Sequence, residues 1–169
     1  MRIVVYGAGA LGGYFGAKFQ SAGHDVSFVA RGAHLEALKE YGLRIESDDE
    51  TTRLPVVNAV ATIAEAGPAD LIFFAVKNYD VERAAADLAT AITTETAIMT
   101  VQNGVSAQPY LAGTFGADRI LPGIVRLPAH IKSPGAIRVP AETEMGGLVF
   151  GAYCGAPTDS ARSVLEAFT

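Results

Sequence analysis

A chain of 169 residues, half of them hydrophobic and 18% charged, has the composition of one globular domain with a real core, not of a disordered segment. Its net charge of −5, with no basic cluster, argues against nucleic acid or an anionic membrane as the main partner. The single cysteine, Cys154, excludes an intrachain disulfide and suits a reducing cytoplasm.

Residues 2–6 (RIVVY) read as a buried strand. A glycine-rich turn follows, then a helix from Ala10 to Ala22 that Gly23 stops as a left-handed cap. This opening has the outline of a secretory leader, with a basic residue and then an uncharged run to residue 17. The patterned glycines, and a helix that continues through Lys18 and Gln20, argue against that reading. No other apolar run reaches the roughly twenty residues of a membrane span.

"DVSFVA" (25–30) is a second strand, and "RGAHLEALKEYG" (31–42) a loop and short helix. "LRIES" and "TRLPVVNA" bracket "DDE", which predicts a polar hairpin or strand pair. "ADLIFFAV" (69–76) is a continuous apolar run, the mark of a strand covered on both faces. "DVERAAADLATAI" (80–92) is helical, and "TAIMTVQNG" (96–104) is a strand ending in a turn pair. "RILPGIVRL", "GAIRVP" and "GGLVFGAY" are later strands, punctuated by Pro and Gly. "TDSARSVLEAFT" (158–169) is a capped helix whose Val164, Leu165 and Phe168 form an apolar face. Either that helix lies back on the sheet or more protein follows. In the second case the face is open and favours self-association, a homodimer included.

Gly7, Gly9 and Gly12 form G-x-G-x-x-G directly after a strand and at the head of a helix. Gly7 allows the tight turn, Gly9 lets the backbone approach a pyrophosphate, and Gly12 lets helix and strand pack closely. The pyrophosphate would rest on the free N–H groups of the helix N-terminus. With strands and helices alternating, this context predicts an α/β, Rossmann-like doubly wound domain over residues 1–169. Its sheet is mainly parallel, with a strand-rich, partly antiparallel C-terminal edge.

An NAD site usually carries Asp or Glu at the end of the second strand. Here that strand ends "FVARG", and Arg31 stands in the place, nineteen residues after Gly12. A guanidinium pairs with a 2′-phosphate where a carboxylate would repel it, which favours NADP(H). A surface arginine after a strand is the ordinary alternative. Lys77, one of four lysines, follows the strand "ADLIFFAV", and Asn103 follows the next. Both positions also suit plain turn residues, but ligands of open α/β sheets gather at such carboxyl ends. His24, His34 and His130 lack ligand spacing and read as structural, with no metal site.

These stretches resemble a known family. "GAGALGGYFGAKFQSAGHDVSFVARG", "ADLIFFAVKNYD" and "VQNGV" are similar to successive motifs of the ketopantoate reductases (2-dehydropantoate 2-reductases). "LPGIVRLPAHIKSPGAIRV" and "GLVFGA" resemble the strand-rich tail of that family's nucleotide domain. The resemblance implies NADPH-dependent reduction of a small 2-oxo acid, 2-dehydropantoate, to pantoate, on the route to pantothenate and coenzyme A. By motif, Gly7, Ala8, Gly9, Ala10, Leu11 and Gly12 would hold the pyrophosphate, and Arg31 the 2′-phosphate. Lys77 would lie near the adenosine-side ribose and phosphates. Asn103 would touch the nicotinamide-side ribose and the substrate, making it the catalytic candidate within this chain. Ala129 would supply a backbone contact to the cofactor, although "RLPAH" departs from the family's polar run there.

The family also has a second, helical domain, which supplies a catalytic lysine and a substrate-binding glutamate. The 169 residues are therefore expected to be the nucleotide-binding part, inactive alone. Two other readings remain: a reductase of a different 2-oxo acid on the same scaffold, and a non-catalytic dinucleotide sensor. The pairing of "VKNYD" with "VQNGV" argues against the sensor.

Overall fold

The computed structural model describes residues 1–89, 91–140 and 147–168. In chain order its elements begin β1 (Arg2–Tyr6), α1 (Ala10–Ser21), β2 (Asp25–Val29), α2 (Gly32–Tyr41), β3 (Leu43–Glu46), β4 (Thr51–Leu54), β5 (Asn58–Val60) and α3 (Ile63–Ala66). They continue β6 (Leu71–Phe74), α4 (Val81–Leu88), β7 (Ala97–Thr100), α5 (Ala107–Phe115), β8 (Ile120–Val125), β9 (His130–Ser133), β10 (Ala136–Arg138), β11 (Leu148–Phe150) and α6 (Asp159–Ala167). The strand predicted from residue 146 and the helix predicted to residue 169 each run one residue outside the described part, as does Thr90 in the helix predicted over 80–92.

The larger sheet has the order β11-β8-β7-β6-β1-β2-β5. Six strands run parallel, and β11 lies antiparallel to β8 at one edge. A smaller mixed sheet, β4-β3-β10-β9, packs beside it. The expected Rossmann-like fold, with its partly antiparallel far edge, is the observed one. From β1 the chain winds outward through β2 to β5, then returns to β6 and winds the other way. The strand order therefore reverses between β1 and β6, where doubly wound sheets open a crevice.

Alternation along the strands builds two cores. Ile3, Val5, Phe28, Phe73 and Met99 face one side with α1 and the smaller sheet. Val4, Val29, Ile72, Phe74 and Ile98 face the other with α4 and α5. Coverage on both faces explains the uninterrupted apolar run of β6, all four residues of which are buried. Gly23 ends α1 as predicted, with φ +89° and the His24 N–H donating to the Phe19 carbonyl.

Beyond the short α3 and β9, which the sequence reading did not name, three features bear on its expectations. "TRLPVVNA" is not one strand: it splits at Pro55 into β4 and β5, which join different sheets. Pro has no N–H for a ladder, so the break falls there. The sequence showed no helix between 105 and 117, yet α5 forms with Pro109 as its third residue. In a first helical turn the missing N–H has no intrahelical partner to lose. Finally, the apolar face of α6 is not open. Thr158 caps the helix by accepting from the Ala161 N–H, and Ala161 and Val164 are buried. The Phe168 ring lies 5.1 Å from Phe19, and Leu165 packs on the same core. The surface expected to drive self-association is therefore covered by the chain's own sheet. Among the described residues, an exposed apolar pair lies elsewhere, at Ile124 and Val149, cross-strand neighbours of β8 and β11.

Candidate functional site

Gly7 leaves β1 with φ +100°, and the Ala75–Val76 backbone passes so close that an added Cβ would lie 3.0 Å from it. Only glycine suits both the conformation and the approach. A Cβ on Gly12 would stand 2.2 Å from the Gly7 carbonyl oxygen. A Cβ on Gly16 would likewise stand 2.3 Å from the Phe28 ring. These glycines serve the fold.

Gly9 is different. Its φ is −75°, which any residue adopts, and a Cβ built on it would meet nothing within 4 Å. Neither strain nor packing requires glycine there, so the space beside it is left for something outside the chain. Gly9 is also the N-cap of α1, with no side chain capping the helix and no acidic residue in its first turn. Ala10, Leu11 and Gly12 form that turn, and their N–H groups have no intrahelical acceptors. An uncapped N-terminus beside an open cradle is the arrangement that receives an anion. The donor set fits a dinucleotide pyrophosphate.

The cradle opens into a groove of about 520 Å³ over the carboxyl ends of β1, β2 and β6. Gly7, Ala8, Gly9, Arg31 and Lys77 all line it. The predicted residues at three strand ends are thus brought together. Asn103 and Ala129 do not line this groove. Asn103 is exposed at the end of β7, one strand beyond, and Ala129 is half-buried between β8 and β9.

Sequence reasoning missed several groove residues. Asp80, at the head of α4, reaches the rim where only Arg31 was expected, and Arg31 lies 3.5 Å from its carboxylate. Arg83 binds the same carboxylate at 3.0 Å. Tyr6 donates to Asp87 at 2.7 Å across the groove wall. Burial, then that bond to a carboxylate, pushes the Tyr6 hydroxyl well above the ordinary phenol range, so it remains a donor. His34 accepts from the Gly135 N–H through Nδ1 at 3.1 Å and ties the smaller sheet to the groove. Burial holds its pKa down, so the ring is neutral at pH 7. None of these carried a local motif; their meeting depends on the crossover of β6 beside β1.

A second device links the next two strand ends. Gln102 is buried, and its Nε2 donates to the carbonyls of Phe74 at 2.8 Å and Val76 at 3.2 Å. In return Asn78 Nδ2 donates to the Asn103 carbonyl at 2.7 Å. The residues flanking Lys77 are thus bound to the segment carrying Asn103.

This geometry can be set beside known proteins. Residues 3–154 match the family described as ketopantoate reductase PanE/ApbA. The chain belongs to that family. It is 35% identical over 159 residues to the 2-dehydropantoate 2-reductase of Mesorhizobium japonicum, an alignment covering 82% of this chain and 48% of that one. The crystal structure of 2-dehydropantoate 2-reductase from Geobacter metallireducens superposes with a TM-score of 0.89 at 32% identity, over 99% of this chain and 55% of the other. A ternary structure of D-mandelate dehydrogenase with NADH and anilino(oxo)acetate shares the fold, with a TM-score of 0.82 at 20% identity over 99% of this chain and 52% of that one. The chain spans about half the length of the relatives it matches.

Proposed function

We propose that these 169 residues form the NADP(H)-binding part of a reductase that converts 2-dehydropantoate to pantoate. The observation that carries the reading is the cradle at Gly9: a glycine with no internal reason, on an uncapped helix N-terminus, opening into a groove that ends at Arg31 and Lys77. NADPH, when bound, supplies the hydride. The N–H groups of Ala10, Leu11 and Gly12 take the pyrophosphate charge, and Arg31 takes the 2′-phosphate. Lys77 adds positive charge beside the adenosine-side phosphates. Asn103, whose carbonyl accepts from Asn78, would bind the nicotinamide-side ribose and the oxo acid, as the family resemblance implies.

The family resemblance assigns the proton donor and the substrate-binding carboxylate to a second domain. Losing a general acid alone typically costs about 10²–10⁴-fold in rate. The chain is therefore expected to bind NADPH without useful turnover. The test is NADPH oxidation by residues 1–169 with 2-dehydropantoate. Turnover at the rate of a complete family enzyme would place the proton donor inside this chain, with Lys77 the first candidate. A different 2-oxo acid is the second reading, favoured by the D-mandelate dehydrogenase that shares the fold. A panel of 2-oxo acids, assayed with the complete gene product, separates the two.

A further inference from the structure

The sequence assigns one cation, Arg31, to the cofactor's 2′-phosphate. The structure brings a second to the same place. Asp80 offers one oxygen to Arg31 at 3.5 Å and the other to Arg83 at 3.0 Å. Its side chain is 19% exposed, against 76% for Arg31 and 66% for Arg83. All three residues line the groove.

An i,i+3 pair on a helix surface would account for Asp80 and Arg83 alone. It does not account for Arg31, which reaches the same carboxylate from the end of β2, 49 residues earlier. Two guanidiniums that meet on the two oxygens of one anion are spaced to share an oxyanion. Each also keeps donors that the single contact to Asp80 does not use. Arg31, Arg83 and Lys77 against Asp80 and Asp87 leave the groove lining net positive. A phosphate monoester presents three oxygens of the kind such a pair grips.

We infer that Arg83 is a second specificity residue, which binds the cofactor's 2′-phosphate together with Arg31. The inference rests on the reading of this groove as an NADP(H) site. It adds a contact from α4, so that the phosphate is held from both sides of the β1–β6 crevice.

2′,5′-ADP and 5′-AMP differ only in the 2′-phosphate, and both can be titrated calorimetrically into the wild-type chain, Arg83→Ala and Arg83→Lys. Arg83→Ala should bind 2′,5′-ADP about tenfold more weakly, the scale of a lost bond to a charged group. Its affinity for 5′-AMP should stay within about twofold, since the lost bond goes only to the 2′-phosphate, and that also reports an intact fold. Arg83→Lys should recover only part of the loss, because an ammonium keeps the charge and loses the fork. Unchanged 2′,5′-ADP affinity in Arg83→Ala, or equal losses for both nucleotides, overturns the assignment of Arg83 and leaves the NADP(H) reading standing. A wild-type chain that binds the two nucleotides alike overturns that reading, and the role of Arg83 with it.

Discussion

The side-chain amide of Asn78 donates to the main-chain carbonyl of Asn103 at 2.7 Å. The bond joins the loops after β6 and β7, and Gln102 returns it by donating to the Phe74 and Val76 carbonyls. Lys77 lies inside one of the two tied segments and Asn103 in the other. Asn78 and Gln102 thus act on the site through its backbone.

Gln102→Leu is expected to destabilise the fold by about 1–3 kcal/mol, the cost of leaving a buried polar group without its partner. It should also weaken NADPH binding, because the Lys77 segment loses its anchor. The exposed Asn78→Ala should cost less than about 1.5 kcal/mol. Urea unfolding and NADPH titration of both variants check this. Full stability in Gln102→Leu would show that the tie does not hold the loops.

Gly9 and Gly12 should respond in opposite ways. Gly9→Val places a side chain in open space within the cradle, so the unfolding midpoint should change little while NADPH binding is lost. Gly12→Ala drives a Cβ against the Gly7 carbonyl and should destabilise by about 1–3 kcal/mol or more. A folded Gly9→Val variant with normal NADPH affinity would refute the cradle.

Arg31→Ala should weaken NADPH binding by about 1.5–3 kcal/mol and hardly change NADH binding. Fluorescence titration with both cofactors gives the comparison. Equal losses would mean that Arg31 does not read the 2′-phosphate.

Acid should loosen the tie at His34. Burial lowers the His34 pKa from 6.5, and Nδ1 must be unprotonated to accept from Gly135. The unfolded chain therefore binds a proton more readily than the folded one. The stability involved is present above about pH 6.5 and is lost as pH falls toward the lower folded value. His24 is shifted the same way by burial and the N-terminus, and contributes its own share. Unfolding at pH 7.5 and pH 5 should show a larger loss for the wild type than for His34→Gln. Equal losses would remove His34 from the acid response.

The G-x-G-x-x-G run after β1 carries its own signature, because the tight turn, close packing and uncapped helix are all local demands on Gly7, Gly9 and Gly12. The apolar run of β6 similarly announces a strand covered twice. Asp80 and Arg83 were not legible, since each acquires its role only when β6 crosses beside β1, whereas His34 read as structural and ties the Gly135 backbone. α5 was hidden by Pro109, which reads as a breaker until its place in the first turn is known. The packing of the closing helix was left between two alternatives, because Phe19 and Phe150, which receive Phe168, are remote in sequence.

The measurement that bears most directly on the account is a fluorescence titration of residues 1–169 with NADPH and, separately, NADH. The account predicts saturable binding of NADPH and weaker binding of NADH. No saturable binding of NADPH, or NADH binding as tightly, would contradict it.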